Sequence, residues 1–222
     1  FGFSAPRVSN VSRDRVFSLK ELKKIIIAFD AEPIVRRQFF NVCLLTGWRN
    51  GEIARMRWED IEYGVPVSLI SDNDTRTVAI WNAPPETTKS NRSIRFLLTD
   101  RLVNEIDSLK KINGWVFTYD NRGPAGESLP MHPPRKRASQ IMSVLGLSGS
   151  ATTHTLRHTA VTYLKEMGFS AAAIDRFLGK TVREGSASHS IYNHSDGLAE
   201  KLAVAEGWEK TLLSLGFGAK NE

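Results

Sequence analysis

His154-Thr155-Leu156-Arg157-His158 is a compact basic run at the head of an apolar helical pattern, and Tyr192 follows it by 34 residues. Helical spacing places residues 154, 157 and 158 on one face, while Ala160, Val161 and Leu164 continue the pattern with apolar side chains. Two imidazoles beside a guanidinium suit a charged oxygen, because all three groups donate hydrogen bonds to it. The competing readings are a metal site or a core histidine. An arginine within the cluster repels a cation, and no Cys, Asp or Glu stands nearby at ligand spacing.

Upstream of this run the pattern is helical, then β, then helical again. Ser18-Leu19-Lys20-Glu21 is a capping box and predicts a helix to about Phe29. A second helix starts at Pro33, carries Val35, Phe39, Val42 and Leu45 inward, and stops near Gly47. Asn50 to Met56 reads as a short third helix with Asn50 as its cap and Glu52 in its first turn. Between about Asp60 and Leu98 the β-branched runs Thr77-Val78-Ala79-Ile80-Trp81 and Ser93-Ile94-Arg95-Phe96-Leu97 predict a small antiparallel sheet. Its connecting turn, Thr87-Thr88-Lys89-Ser90-Asn91, reads as polar and exposed. Helices return over about 100–111, 134–146, 154–167, 171–178 and 196–215, with a turn-rich loop from Gly123 to Pro134. The fold class is therefore α+β, mainly α-helical, with a small antiparallel sheet.

Composition bounds the rest. The 222 residues are 41% apolar and 24% charged, which fits a folded globular domain. The longest apolar runs fall far short of the ~20 residues of a membrane-spanning helix. Cys43 is the only cysteine, so no disulfide forms within the chain, and a reducing, cytoplasmic setting is expected. The net charge of +6 favours a polyanionic partner. Arg7, Arg13 and Arg15 crowd the start and Arg135-Lys136-Arg137 follows a proline pair, a distribution that suits nucleic acid. The first residue is not methionine and the opening segment is polar and basic. Residues 1–15 are read as a linker or arm remnant, 16–216 as the domain, and 217–222 as a C-terminal tail.

Three more residues carry chemistry. Arg49, in Thr46-Gly47-Trp48-Arg49-Asn50-Gly51-Glu52, stands at the mouth of a short helix, where amides and dipole favour an anion. Its planar fork can grip two phosphate oxygens, and the plainer reading is a salt bridge with Glu52. Lys89 on its turn can protonate a leaving oxygen, though most hairpin lysines are merely solvated. Tyr192 can attack phosphorus once cations stabilise its anion; packing is the commoner role of a tyrosine.

In this order the pieces resemble the catalytic domain of the tyrosine recombinases, the phage integrase family. The resemblance rests on Thr46 to Ile53 with Trp58-Glu59-Asp60-Ile61, on Lys89, on His154-Thr155-Leu156-Arg157-His158-Thr159, on Leu178-Gly179-Lys180 and on Tyr192, and spans Ser18 to about Lys210. It implies site-specific breakage and rejoining of double-stranded DNA, for integration or excision of a mobile element, without a metal or other cofactor. Tyr192 would attack the scissile phosphate, giving a 3′-phosphotyrosyl bond and a free 5′-hydroxyl. Arg49 and Arg157 would hold the non-bridging oxygens, and Lys89 would protonate the leaving oxygen. His154 would assist proton transfer at the tyrosine, His158 would add a hydrogen bond or orient its neighbours, and Glu52 would hold a basic neighbour in place. The resemblance also implies a homo-oligomer, a tetramer on DNA, with accessory DNA-bending proteins as further partners.

One departure stands out. The family places a histidine or tryptophan after Leu-Gly and nearer the tyrosine, whereas here Lys180 follows Leu178-Gly179 and lies twelve residues before Tyr192. Lys180 is the first candidate for that position, with Arg183 and His189 as alternatives. Near the C-terminus, Leu198, Leu202, Ala205, Trp208, Leu212 and Leu215 form an apolar stripe, open to packing within the chain or against a neighbouring subunit. Other classes with overlapping signals are a type IB topoisomerase, a DNA-binding module without catalysis, and a metal-dependent hydrolase.

Overall fold

The computed structural model describes residues 15–69, 75–119, 122–147, 151–180 and 197–219. Its first helix, α1 (Leu19–Asp30), opens on the expected capping box: Ser18 Oγ accepts from the Glu21 amide and the Glu21 carboxylate accepts from the Ser18 amide. Pro33 precedes α2 (Ile34–Thr46), which ends where Gly47 turns left-handed at φ +61°. This helix is the axis of the domain. It is buried from Gln38 to Thr46 and packs against α1 and four further helices. Its buried polar side chains are satisfied: Gln38 donates to Ser108, Asn41 to Glu105, and Thr46 to the Val42 carbonyl.

The short helix α3 (Asn50–Ile53) differs from expectation at both ends. Arg49, not Asn50, holds the cap position and caps with no side-chain bond, because the Asn50 amide is bonded elsewhere. The helix ends before Met56, whose carbonyl accepts from the Val116 amide at 2.9 Å as the chain turns out to pair Arg57 with Trp115.

The sheet has three antiparallel strands in the order β1 (Ile61–Ser68), β2 (Thr75–Ala83), β3 (Ile94–Leu98). The two β-branched runs lie in β2 and β3. β1 carries no such run; it holds Gly64 at φ +73° beside a register shift and Pro66 opposite Thr77. Both are tolerated because β1 is an edge strand, where a bulge and a missing amide cost little. The β2–β3 connection corrects the reading of an exposed turn. Thr87 and Thr88 are buried, and Thr88 Oγ1 donates to the Arg92 carbonyl at 2.7 Å, so of the stretch Thr87 to Asn91 only Lys89, Ser90 and Asn91 are exposed.

Among the described residues five further α-helices follow: α4 (Asp100–Asp107), α5 (Arg135–Val144), α6 (Thr153–Glu166), α7 (Ala171–Phe177) and α8 (Leu198–Ser214). α4 is shorter than its expected span because Ser108 Oγ donates to the Glu105 carbonyl at 2.7 Å and diverts the last turn. α8 packs against α2, α6, α7 and the sheet. Leu202, Ala205, Trp208 and Leu212 of its apolar stripe are buried within the chain, and Trp208 Nε1 donates to the Leu44 carbonyl at 2.7 Å. Phe217 beyond it is buried as well. No helix among the described residues is long and apolar enough to cross a membrane.

An aromatic cluster joins sheet and helices. Trp48 lies 4.4 Å from Phe96, 5.9 Å from Trp81 and 6.4 Å from Phe177, centroid to centroid, and its Nε1 donates to the Phe177 carbonyl at 3.1 Å. The residue beside Arg49 is thereby anchored to β2, β3 and α7 at once.

Candidate active site

The cleft of about 610 Å³ beside α3 collects residues from four separate stretches of chain. Arg49 arrives from the α2–α3 junction, Lys89 from the β2–β3 connection, Arg135 from α5 and His154 from α6, with Arg55 beyond α3. Glu52 is the one carboxylate among the described lining residues. Four arginine and lysine side chains around one acid make a positive concavity, which focuses field on an anion.

Glu52 organises two of these cations. Its buried Oε1 accepts from Arg49 Nη1 at 3.1 Å and from the Lys89 backbone amide at 3.2 Å. The salt bridge read from the sequence therefore exists, but one end of it is buried: the Glu52 side chain is 2% exposed and that of Arg49 31%. Arg49 keeps enough freedom to meet a ligand. Since α3 is a single turn, its dipole is small, and the guanidinium itself supplies the attraction expected of the helix mouth.

Arg157 is seated from behind. Its Nη1 donates to the Gly47 carbonyl at 3.1 Å and its Nη2 to the Leu178 carbonyl at 3.4 Å. Gly47 is required there: a Cβ would lie 3.3 Å from Arg157 Cα, at a left-handed backbone position. Burial, followed by the repulsion of Arg49, pushes the Arg157 pKa down to about 10, opposed by Glu52 and Asp175. It remains a cation at neutral pH.

His154 and His158 meet edge to face at 4.8 Å. Burial lowers the His154 pKa from its usual 6.5, and the positive fields of His158, Arg157, Arg49 and Lys89 lower it further. The imidazole is therefore neutral at pH 7 and able to accept a proton. The capping box of α6 fixes its direction, with Thr152 Oγ1 accepting from the His154 amide at 3.2 Å.

Lys180 lies apart from the cleft lining. Its Nζ pairs with Asp175 Oδ1 at 2.7 Å, on the α7 side of Arg157. Tyr192, Arg183 and His189 lie outside the described residues. Sequence reasoning did not single out Asn50, Arg55, Ser139 or Thr153 as lining residues; Arg135 alone had a signal, in its basic triplet.

The Phage integrase family model matches residues 15–197, a range that includes every candidate residue from Arg49 to Tyr192. The chain belongs to the phage integrase family. It is 31% identical over 163 residues to the integrase of Staphylococcus phage L54a, covering 68% of this chain and 45% of that protein. It is 26% identical over 177 residues to prophage integrase IntA of Escherichia coli (strain K12), covering 79% of this chain and 38% of that protein. The chain thus spans less than half the length of these two integrases. Its fold is like that of XerH site-specific recombinase, solved bound to difH substrate in a pre-cleavage complex, with a TM-score of 0.50 at 15% identity over 81% of this chain and 55% of that one.

Proposed function

We propose that this chain is the catalytic domain, residues 16–216, of a site-specific recombinase that breaks and rejoins double-stranded DNA for integration or excision of a mobile element. Tyr192 Oη attacks the scissile phosphorus, its proton passing to His154. The bond to the 5′-oxygen breaks, that oxygen takes a proton from Lys89, and a 3′-phosphotyrosyl ester remains. Arg49 and Arg157 hold the non-bridging oxygens, where charge builds in the transition state. Glu52 holds Arg49 and the Lys89 turn, and His158 supports His154. Lys180 is the first candidate for a further phosphate contact. No bond energy is lost to water, so the ester is reversed when a second 5′-hydroxyl attacks it. The working form is a homotetramer on DNA, beside the chromosome in the cytoplasm, with accessory bending proteins as additional partners.

The observation that carries this reading is the convergence of Arg49, Lys89 and His154 on one basic cleft in a member of the integrase family. The test is incubation with a library of nicked duplexes with randomised arms, in which loss of a short fragment traps the ester. A covalent protein–DNA adduct that vanishes in Tyr192→Phe supports the reading. Absence of any adduct, or relaxation of supercoiled plasmid without sequence preference, refutes it.

A further inference from the structure

We propose that Asn50 is a positioning residue whose bridge to Thr153 locks the arginine-bearing turn onto the histidine-bearing helix, a role that rests on the reading of the cleft as a strand-transfer site. Asn50 follows Arg49 and opens α3; Thr153 precedes His154 and opens α6. The Asn50 Nδ2 donates to Thr153 Oγ1 across 103 residues of sequence. On its other side, Asn50 Oδ1 accepts from the Cys43 thiol of α2 at 3.5 Å. One amide therefore ties three helices together, using the donor and the acceptor of its single planar group.

The second link is what makes the geometry fixed. Arg157 Nη1 on the Gly47 carbonyl already joins α6 to the α2–α3 junction. A single link leaves a pivot, about which Arg49 and His154 could swing apart. The Asn50–Thr153 bond joins the same two elements at the residues next to Arg49 and His154, so the pair of bonds defines their relative orientation. The bridge is partly shielded: Cys43 is 1% and Thr153 9% exposed, while Asn50 is half-buried at the edge of the cleft. Burial raises the Cys43 pKa, which keeps the thiol protonated as the donor that the amide oxygen needs. Local preference is overridden to obtain this. Asn50 would favour the cap position of α3, yet that position falls to Arg49 and α3 has no side-chain cap.

The bridge is tested in wild type, Asn50→Ala, Thr153→Val, Thr153→Ser and the Asn50→Ala/Thr153→Val double variant. Three readouts apply: DNA affinity, the single-turnover rate of adduct formation at saturating nicked duplex, and the His154 titration followed by NMR in DNA-free protein. Asn50→Ala and Thr153→Val each slow adduct formation roughly tenfold or more with affinity nearly unchanged, because small displacements of catalytic groups are costly to rate. Thr153→Ser keeps the hydroxyl and restores most of the rate. The double variant is no slower than the slower single, since both substitutions remove one bond.

In the two bridge-breaking variants His154 titrates at higher pH than in wild type, as Arg49 and Lys89 move away while His158 and Arg157 remain on its own helix. Arg55, Arg135 and Glu52 complete the charged groups around the cleft. If Asn50→Ala does not fold, the near-isosteric Thr153→Val carries the test. Unchanged rate and unchanged His154 titration in folded variants overturn the bridge. If wild type forms no adduct, the strand-transfer reading fails, and the bridge is judged on the His154 titration alone: a shift upholds it and no shift overturns it.

Discussion

The Lys89 amide donates to Glu52 Oε1 at 3.2 Å, across 37 residues of sequence, and that oxygen also accepts from Arg49 at 3.1 Å. One buried carboxylate thus sets the spacing between the arginine and the turn that carries the lysine. Its removal leaves the Lys89 amide and the Arg49 guanidinium without this acceptor. Glu52→Ala is expected to cost about 1.5–3 kcal/mol, the range for hydrogen bonds to charged groups, and Glu52→Gln less, because it keeps an acceptor oxygen. Urea denaturation measures both, and equal losses in the two variants would contradict the account.

Arg157 is buried behind the cleft, and two of its nitrogens hold the Gly47 and Leu178 carbonyls. In the proposed function its remaining donors hold a phosphate. Lysine offers one ammonium and cannot reproduce the fork. Arg157→Lys is expected to lower the adduct-formation rate by about 10²–10³-fold, the usual loss for one transition-state donor, while DNA affinity falls far less. Parallel losses of rate and affinity would assign Arg157 to ground-state binding instead.

Helices with strong end signals were legible in the sequence, and elements that depend on distant partners were not. The Ser18–Glu21 capping box and Gly47 mark ends of α1 and α2 because their physics is local. β1 was hidden because a bulged edge strand with Gly64 and Pro66 violates strand preferences that its neighbours satisfy. The site followed the same rule. Arg49, Lys89, His154 and Arg157 were singled out through motif order, and three of the four line one cleft while Arg157 braces it from behind. Asn50 and Thr153 were missed as a pair, since nothing in a sequence joins residues 103 apart. The burial of Thr88 was hidden for a different reason: its bond to the Arg92 carbonyl spans only four residues, but a Thr-Lys-Ser turn carries no signal of which hydroxyl folds inward.

Gly179 closes α7 at φ +66°, and a Cβ there would lie 2.6 Å from Phe96 Cε1 and 3.0 Å from Ile94 Cγ2. Phe96 cannot withdraw, because it is wedged between Trp48 and Trp81 at 4.4 and 4.9 Å. Gly179→Ala combines backbone strain of about 1–3 kcal/mol with overpacking of about 1–3 kcal/mol. A fall in stability of roughly 2–6 kcal/mol is expected from these two terms. Since Leu178 also seats Arg157, adduct formation should slow as well; an Ala variant as stable as wild type would contradict the packing.

The pH dependence of the reaction follows from His154. Its pKa lies below 6.5, so its neutral, proton-accepting form is already dominant at pH 7 and is lost only as the pH falls further. The single-turnover rate is expected to level off on the alkaline side and to decline as the pH falls through an inflection below 6.5. Weakening the cations that depress the pKa should move the decline upward, so Lys89→Gln at a slowed but measurable rate shifts the inflection towards 6.5. An inflection above 6.5 in wild type would exclude His154 as the acceptor.

Lys201 of α8 provides a stability signal separate from the reaction. It is 8% exposed and donates to the Arg95 carbonyl at 3.0 Å. Burial, with Arg95 and Arg176 nearby, pushes its pKa down to about 8 from 10.5. The unfolded chain therefore holds this proton more tightly than the folded one, so raising the pH from 8 to 10.5 favours folding at this group. Below pH 8 both states carry the charge and the folded state bears the full desolvation cost. Lys201→Met keeps the length of the side chain and removes the charge. Relative to wild type, it is expected to be more stable, or equally stable, below pH 8, and to lose that advantage progressively towards pH 10.5. The comparison uses the difference between the two proteins, which cancels opposing titrations such as that of Tyr63, whose pKa is pushed up to about 12. Urea midpoints at several pH values between 7 and 11 measure it, and a difference independent of pH would show that Lys201 remains solvated.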